Sequence, residues 1–231
     1  MDKNTFVVEK PCPICLQKTH VIKPKSRLMM ESRDADTCVH YKDFNINLYR
    51  VWLCEHCGFA GDEKTFGVRI TDRTRTQIKE WLDGHPIDHE FVDENDAPRA
   101  ITSLERALDC LDLLKAPIAK KASTNHQLAW VYRSIGDKEH EEEYLKKAAE
   151  LYAQSLATER YPIGNLTDTM ALFVTGSIYY LLNDYNNCAS FLSRIIGDQN
   201  ARTRERVLFE KARDLWEDVR AAQKEEEKAK K

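Results

Sequence analysis

Two rhythms of apolar positions divide the chain near residue 97. The first part has short-period patterns. Thr19–Ile22 reads as a strand, and residues 48–53 read as another, with Tyr49, Val51 and Leu53 alternating with Arg50 and Trp52. Ile78, Trp81 and Leu82 make one stripe of a short helix. Thr71 or Asp72 can cap its start, and Gly84 and Pro86 stop it after Asp83. Residues 84–97 are polar and broken, and read as a linker. From Pro98, a residue suited to a first helical position, the period becomes that of a helix, with Ala100, Leu104, Ala107, Leu108 and Leu111 on one face.

The helical part repeats itself. Ala129, Tyr132, Gly136, Asp137 and Ala148 recur as Gly176, Tyr179, Asn183, Asp184 and Ile195, each 47 residues later. The pattern is a small residue, an aromatic three on, a Gly-Asp or Asn-Asp turn, and a second apolar stripe. It resembles tetratricopeptide repeats, in which the small residue lets helices approach and the aromatic fills the next groove; their usual period is shorter, about 34 residues. Ala100, Leu104 and Ala107 fit the second helix of a partial preceding repeat. Tyr161-Pro162-Ile163-Gly164-Asn165 breaks the chain between repeats, and Asn165 or Thr167 can cap the next helix. A last helix is expected over 204–224, sealing the stack, and residues 225–231 read as a charged tail. Cys110 and Cys188 fall on apolar stripes and are expected in the core. Tyr179 and Tyr180 could line a peptide groove, but repeat packing already accounts for Tyr179.

Composition narrows the class. The chain has 231 residues, 42% hydrophobic and 32% charged, with a formal net charge of -3. That balance argues against a globally basic nucleic-acid binder and leaves local patches open. No apolar run is long enough to span a membrane, and the first residues lack the apolar core of a signal peptide. A cytoplasmic protein is expected. The 7 cysteines are an odd count, awkward for a disulfide framework. In a reducing compartment, paired cysteines mean metal or redox chemistry.

The cysteines supply the strongest chemical signal. Cys12-Pro13-Ile14-Cys15 is answered by Cys54-Glu55-His56-Cys57-Gly58, and two Cys-x-x-Cys turns can surround one tetrahedral ion. Cys12, Cys15, Cys54 and Cys57 are therefore the expected metal ligands. Zinc suits four thiolates, and iron in a rubredoxin-like site uses the same set. Four thiolates leave no open coordination position, so the expected role is structural. Cys38 and His40, in the long insert between the pairs, are ligand types too, with a packed thiol and a hydrogen-bonded imidazole as the competing reading. His56 is expected to turn away from the ion, and His85 and His89 are expected to be ordinary loop histidines.

Cys-Pro-x-Cys, then Arg33-Asp34-x-Asp36-x-Cys38-x-x-Tyr41, then Leu48-Tyr49-Arg50-Val51-Trp52-Leu53-Cys54-Glu55-His56-Cys57-Gly58-Phe59-Ala60 resembles the bacterial family called domain of unknown function 2225. The resemblance implies a metal-binding head followed by helices, and no particular reaction. Glu55 stands where that family commonly has proline, which should loosen the second turn. Leu16 stands where the glycine that follows Cys57 would be expected.

The expected fold is α+β and predominantly α. Residues 1–83 form a small zinc-ribbon or rubredoxin-like β head with a short helix, 84–97 a linker, 98–224 a tetratricopeptide-like helical domain, and 225–231 the tail. No nucleophile elbow, P-loop or dinucleotide turn occurs. The reading is a non-catalytic adaptor with a structural zinc site and a helical surface for a protein or peptide partner. The runner-up is a nucleic-acid binder, using Lys18, Lys23, Lys25, Arg27 and Arg33 with Arg69, Arg73, Arg75 and Lys79. A third reading is a redox or metal-relay protein.

Overall fold

The first strands form where runs of β-branched and aromatic residues, Phe6-Val7-Val8 and Val21-Ile22, meet charged ones. In the computed structural model, which describes residues 2–229, β1 (Thr5–Pro11) pairs antiparallel with β2 (Lys18–Pro24), Val8 opposite Val21 and Pro11 opposite Lys18. The turn of this hairpin is the first cysteine pair. β3 (Met30–Arg33) pairs with β4 (Val39–Tyr41), and β5 (Trp52–Leu53) with β6 (Ala60–Gly61), whose connection is the second cysteine pair. The strand expected over residues 48–53 is thus only two residues long. Ile46–Tyr49 instead winds into one 3-10 turn, because the Asn45 side chain caps the Asn47 N–H and Tyr49 stacks on Phe44, centroids 5.3 Å apart.

Helix α1 (Glu63–Phe66) is a single turn capped by Asp62. Helix α2 (Asp72–Gly84) starts at its Thr71 cap and buries Ile78 and Leu82, as the apolar stripe predicts. After the loop, α3 (Ala97–Leu113) begins at Asp96, with Pro98 in its first turn. Then come α4 (Ile118–Ser134), α5 (Lys138–Thr158), α6 (Asp168–Leu181), α7 (Tyr185–Ile196), α8 (Gln199–Arg204) and α9 (Arg206–Ala229). Thr167 caps α6 by accepting the Met170 N–H. The last helix expected over 204–224 is α9, which starts at Arg206; α8, separated from it by Glu205, was not expected from the sequence. The charged stretch from residue 225 continues α9 to Ala229, and residues 230–231 of the expected tail lie outside the described residues. The architecture is α+β and mainly helical.

The chain divides into two compact units. One holds the residues up to Arg33 with Val39–Ala116 and Thr124–Glu141; the other holds Asp34–Cys38, Pro117–Ser123 and the residues from Glu142 on. The first unit has a core of Ile14, Val21, Trp52, Phe59, Phe66, Ile78 and Leu82 around Cys12 and Cys54. Each aliphatic side chain buried there contributes roughly 1.5–3 kcal/mol. The core of the second is built by α6, α7 and α9, with Leu172, Leu192, Ile195, Phe209 and Val219.

The 47-residue recurrence appears in the backbone. Gly136 and Asn183 both have left-handed dihedrals, φ +75° and +57°. The Asp137 N–H donates to the Tyr132 carbonyl (3.1 Å) and the Asp184 N–H to the Tyr179 carbonyl (2.9 Å), so each turn is a Schellman motif. Each aspartate then caps the following helix, Asp137 accepting from the His140 N–H and Asp184 from the Asn187 N–H. Ala129, Ala148 and Ile195 are buried. A Cβ on Gly176 would stand 3.0 Å from Leu192 Cδ2, so α6 and α7 approach closely because that residue has no side chain.

Candidate metal centre

Both cysteine pairs sit in turns of one design. In the first, the Cys12 N–H donates to the Gln17 carbonyl (2.9 Å) and the Leu16 N–H to the Cys12 carbonyl (3.0 Å). In the second, the Cys54 N–H donates to the Phe59 carbonyl (2.8 Å) and the Gly58 N–H to the Cys54 carbonyl (2.9 Å). The residue after each second cysteine is left-handed, Leu16 at φ +64° and Gly58 at φ +69°. Such turns aim amide N–H groups at the first sulfur, as the Ile14 N–H is aimed at Cys12 Sγ (3.4 Å).

The turns bring four sulfurs together. Cys12 Sγ is 3.7 Å from Cys57 Sγ, and Cys15 Sγ is 3.7 Å from Cys54 Sγ. All four ligand atoms lie within 4.8 Å of one another, and all four cysteines are free. A disulfide needs sulfurs near 2.05 Å. A tetrahedral ion with metal–sulfur bonds of about 2.3 Å sets sulfurs about 3.8 Å apart. The four cysteines fit a metal ion and could hold one.

Electrostatics asks for a cation. Hydrogen bonds from the Cys12 and Cys57 thiols, with the His56 and Cys57 backbone N–H groups, push the Cys54 thiol far below its ordinary range. Cys12 is pushed up, chiefly by its hydrogen bond to Cys54, and Cys57 is pushed up chiefly by Cys12 and then Cys54. One thiolate among these thiols opposes the next. A divalent ion held by the four sulfurs would remove that opposition and release protons on binding.

Neighbouring side chains fix the turns, in roles the sequence did not assign them. Arg75 on α2 donates from Nε to the Pro13 carbonyl (3.1 Å) and from Nη2 to the Ile70 carbonyl (3.2 Å), and its Nη1 pairs with Asp72. In the second turn the Glu55 N–H donates to Thr19 Oγ1 (3.1 Å), and the Glu55 carboxylate accepts the His20 N–H (3.1 Å). A proline at position 55 could not make the first bond, so Glu55 ties the turn to β2 where a looser turn was expected. His56 donates from Nε2 to the Lys18 carbonyl (2.8 Å). His85 and His89 each donate from Nδ1 to a carbonyl in their own loop, Trp81 and Ile87.

Cys38 is not one of the four clustered sulfurs. It is buried, with its N–H on Asp36 Oδ1 (3.3 Å) and its carbonyl accepting the Asp34 N–H (2.8 Å). His40 stands exposed on β4. Cys110 and Cys188 are buried, as their stripes predict; burial pushes each thiol up to about 12. Among the basic residues, Lys18 pairs with Glu9 (3.1 Å), Lys23 with Glu63 (2.9 Å), and Lys25 Nζ donates to the Lys3 carbonyl. Among the described residues no helix is long and apolar enough to cross a membrane.

No curated protein and no solved structure matches the chain. The model of one family, described as an uncharacterized protein conserved in bacteria (DUF2225), matches residues 7–219. That span holds both cysteine turns and the helices through most of α9, and the chain belongs to this family.

Proposed function

We propose that the protein is a non-catalytic cytoplasmic adaptor, with a structural zinc ion fixing its β head and a tetratricopeptide-like helical part offering a surface to a protein or peptide partner. The observation that carries the reading is the closed sulfur set. Cys12, Cys15, Cys54 and Cys57 would fill all four positions of a tetrahedral ion, leaving none for substrate or water. Zinc is preferred because the site then needs no redox partner, although iron takes the same ligands. The duplicated Schellman turns of the helical part support a repeat, and stacked helix pairs make extended binding surfaces.

The test is purification of the tagged protein from its own cells, with and without nuclease, followed by identification of what accompanies it. A protein that stays through nuclease and high salt is the expected result. Nucleic acid retained at low salt and lost with nuclease would replace the adaptor with the second reading, which rests on a groove of about 400 Å³ where Lys23, Lys25 and Arg50 stand beside Tyr41 and Trp52. A redox or relay role would instead require metal that a mild chelator removes and thiols that oxidise reversibly.

A further inference from the structure

A cavity of about 200 Å³ opens beside the second cysteine turn, with Cys57, His56, His85, His89 and Arg106 in its wall. Arg106, on α3, is 5% exposed. Its guanidinium lies 4.9 Å from the Trp81 ring centroid, and its Nη2 donates to the His85 carbonyl. Among the described residues, its Nε and Nη1 have no hydrogen-bond partner. A buried cation with two nitrogens unanswered is costly, and the usual answer is a negatively charged acceptor. Asp109 is close enough for Arg106 to lower its pKa, but burial outweighs that effect.

The histidines add the complementary half. His56 donates from Nε2, and His85 and His89 from Nδ1, each to a main-chain carbonyl. A carbonyl only accepts, so in the neutral ring the remaining nitrogen of each histidine is an acceptor. The wall therefore combines guanidinium donors with imidazole acceptors. An anion with oxygens for the first and a hydroxyl proton for the second matches both.

We propose that this cavity binds a protonated phosphate, either inorganic phosphate or a phosphomonoester, seated on Arg106 with its P–OH shared to the histidine rings. Nε and Nη1 are enclosed beside the Trp81 ring in this structure, so the guanidinium must turn about its Nη2 bond to bring them to the ligand. A bound divalent ion with four thiolates is itself a net negative neighbour through Cys57. It disfavours a highly charged anion, and the imidazole acceptors select the form that keeps its proton.

The test is isothermal titration of the full-length, metal-loaded protein with inorganic phosphate, glycerol phosphate and sulfate at equal ionic strength near pH 7. One phosphate should bind per chain, and Arg106→Gln should weaken it at least about ten-fold, the loss of one charge-assisted bond. Sulfate, which carries no proton at this pH, should bind more weakly than phosphate. Glycerol phosphate binding as well as phosphate assigns the site to monoesters, and its exclusion assigns it to the free ion. Phosphate binding that is unchanged in Arg106→Gln, or equalled by sulfate, overturns the proposal. Should Arg106→Gln not fold, His89→Phe, which removes one acceptor and leaves Arg106 in place, decides: phosphate affinity should fall towards that of sulfate, and an unchanged phosphate-to-sulfate ratio overturns the proposal. The adaptor reading is independent of either result.

Discussion

The β head and the helical part each use one turn twice, and they secure the two copies by different means. In the head, the turns after Cys12 and Cys54 share the same hydrogen bonds and the same left-handed residue, Leu16 in one and Gly58 in the other. Their partner is each other, through a common set of four sulfurs. In the helical part, the turns at Gly136 and Asn183 share Schellman bonds and an aspartate cap, and each is complete locally. A turn held by a shared ion fails with its twin. A turn held by its own main chain fails alone. The left-handed residues follow this logic: asparagine adopts the conformation readily, whereas leucine pays about 1–2 kcal/mol for it. Leu16 is 64% exposed, so packing does little to offset that strain.

The contrast breaks most sharply at a ligand. Cys54→Ser should remove metal from both turns together and destabilise the head by more than about 3 kcal/mol, read as lost metal content and lost amide protection around Cys12 as well as Cys54. Protection should survive in the turn at Asn183. Acidification should act on the same side only. Cys12 and Cys57 have raised pKa values, so metal binding must displace their protons, and metal affinity should fall as the pH is lowered from neutral. Cys54, with its lowered pKa, stays a thiolate over the same range and contributes little to that fall. Proton release on metal addition, followed in weakly buffered solution, checks the sign.

The helical side breaks through packing. Gly176→Leu should cost about 3 kcal/mol in thermal or urea unfolding, because Leu192 already occupies the space of a Cβ. Metal content should not change. The left-handed positions give the smallest effects. Gly58→Ala should cost about 1 kcal/mol through its φ alone, since the new Cβ meets His89 only at 3.7 Å. Leu16→Gly should gain about 0.5 kcal/mol, strain relief exceeding the added chain entropy. Asn183→Gly should change stability by less than about 0.5 kcal/mol. A gain at Leu16 as small as the change at Asn183 would remove the strain argument.

Sequence showed those features whose causes are local. The Cys-x-x-Cys spacing located both cysteine turns, Thr71 and Thr167 were among the candidate helix caps, and the 47-residue offset anticipated a duplicated Gly-Asp or Asn-Asp turn. Of the parts it hid, one is local and the others depend on contacts distant along the chain. Residues 48–53 alternate well enough for a strand, but Leu48 and Tyr49 belong to a 3-10 turn over Ile46–Tyr49, because Asn45 caps it and Phe44 stacks on Tyr49. Glu205 gives no breaker signal, yet it separates α8 from α9 while accepting the Thr167 hydroxyl across 38 residues. Arg75 is 62 residues from the carbonyl it holds, and Arg106 is 21 from its own. A side chain that reaches across the fold to a main-chain carbonyl leaves no periodic or spacing signature.

If a single ion makes one structure of two distant turns, its ligands are the four sulfurs and nothing else. Metal analysis combined with X-ray absorption on the purified protein tests this most directly. One metal ion per chain, with four sulfur neighbours at about 2.3 Å, is expected. Substoichiometric metal, a shell containing nitrogen or oxygen, or a sulfur–sulfur distance near 2.05 Å would contradict it.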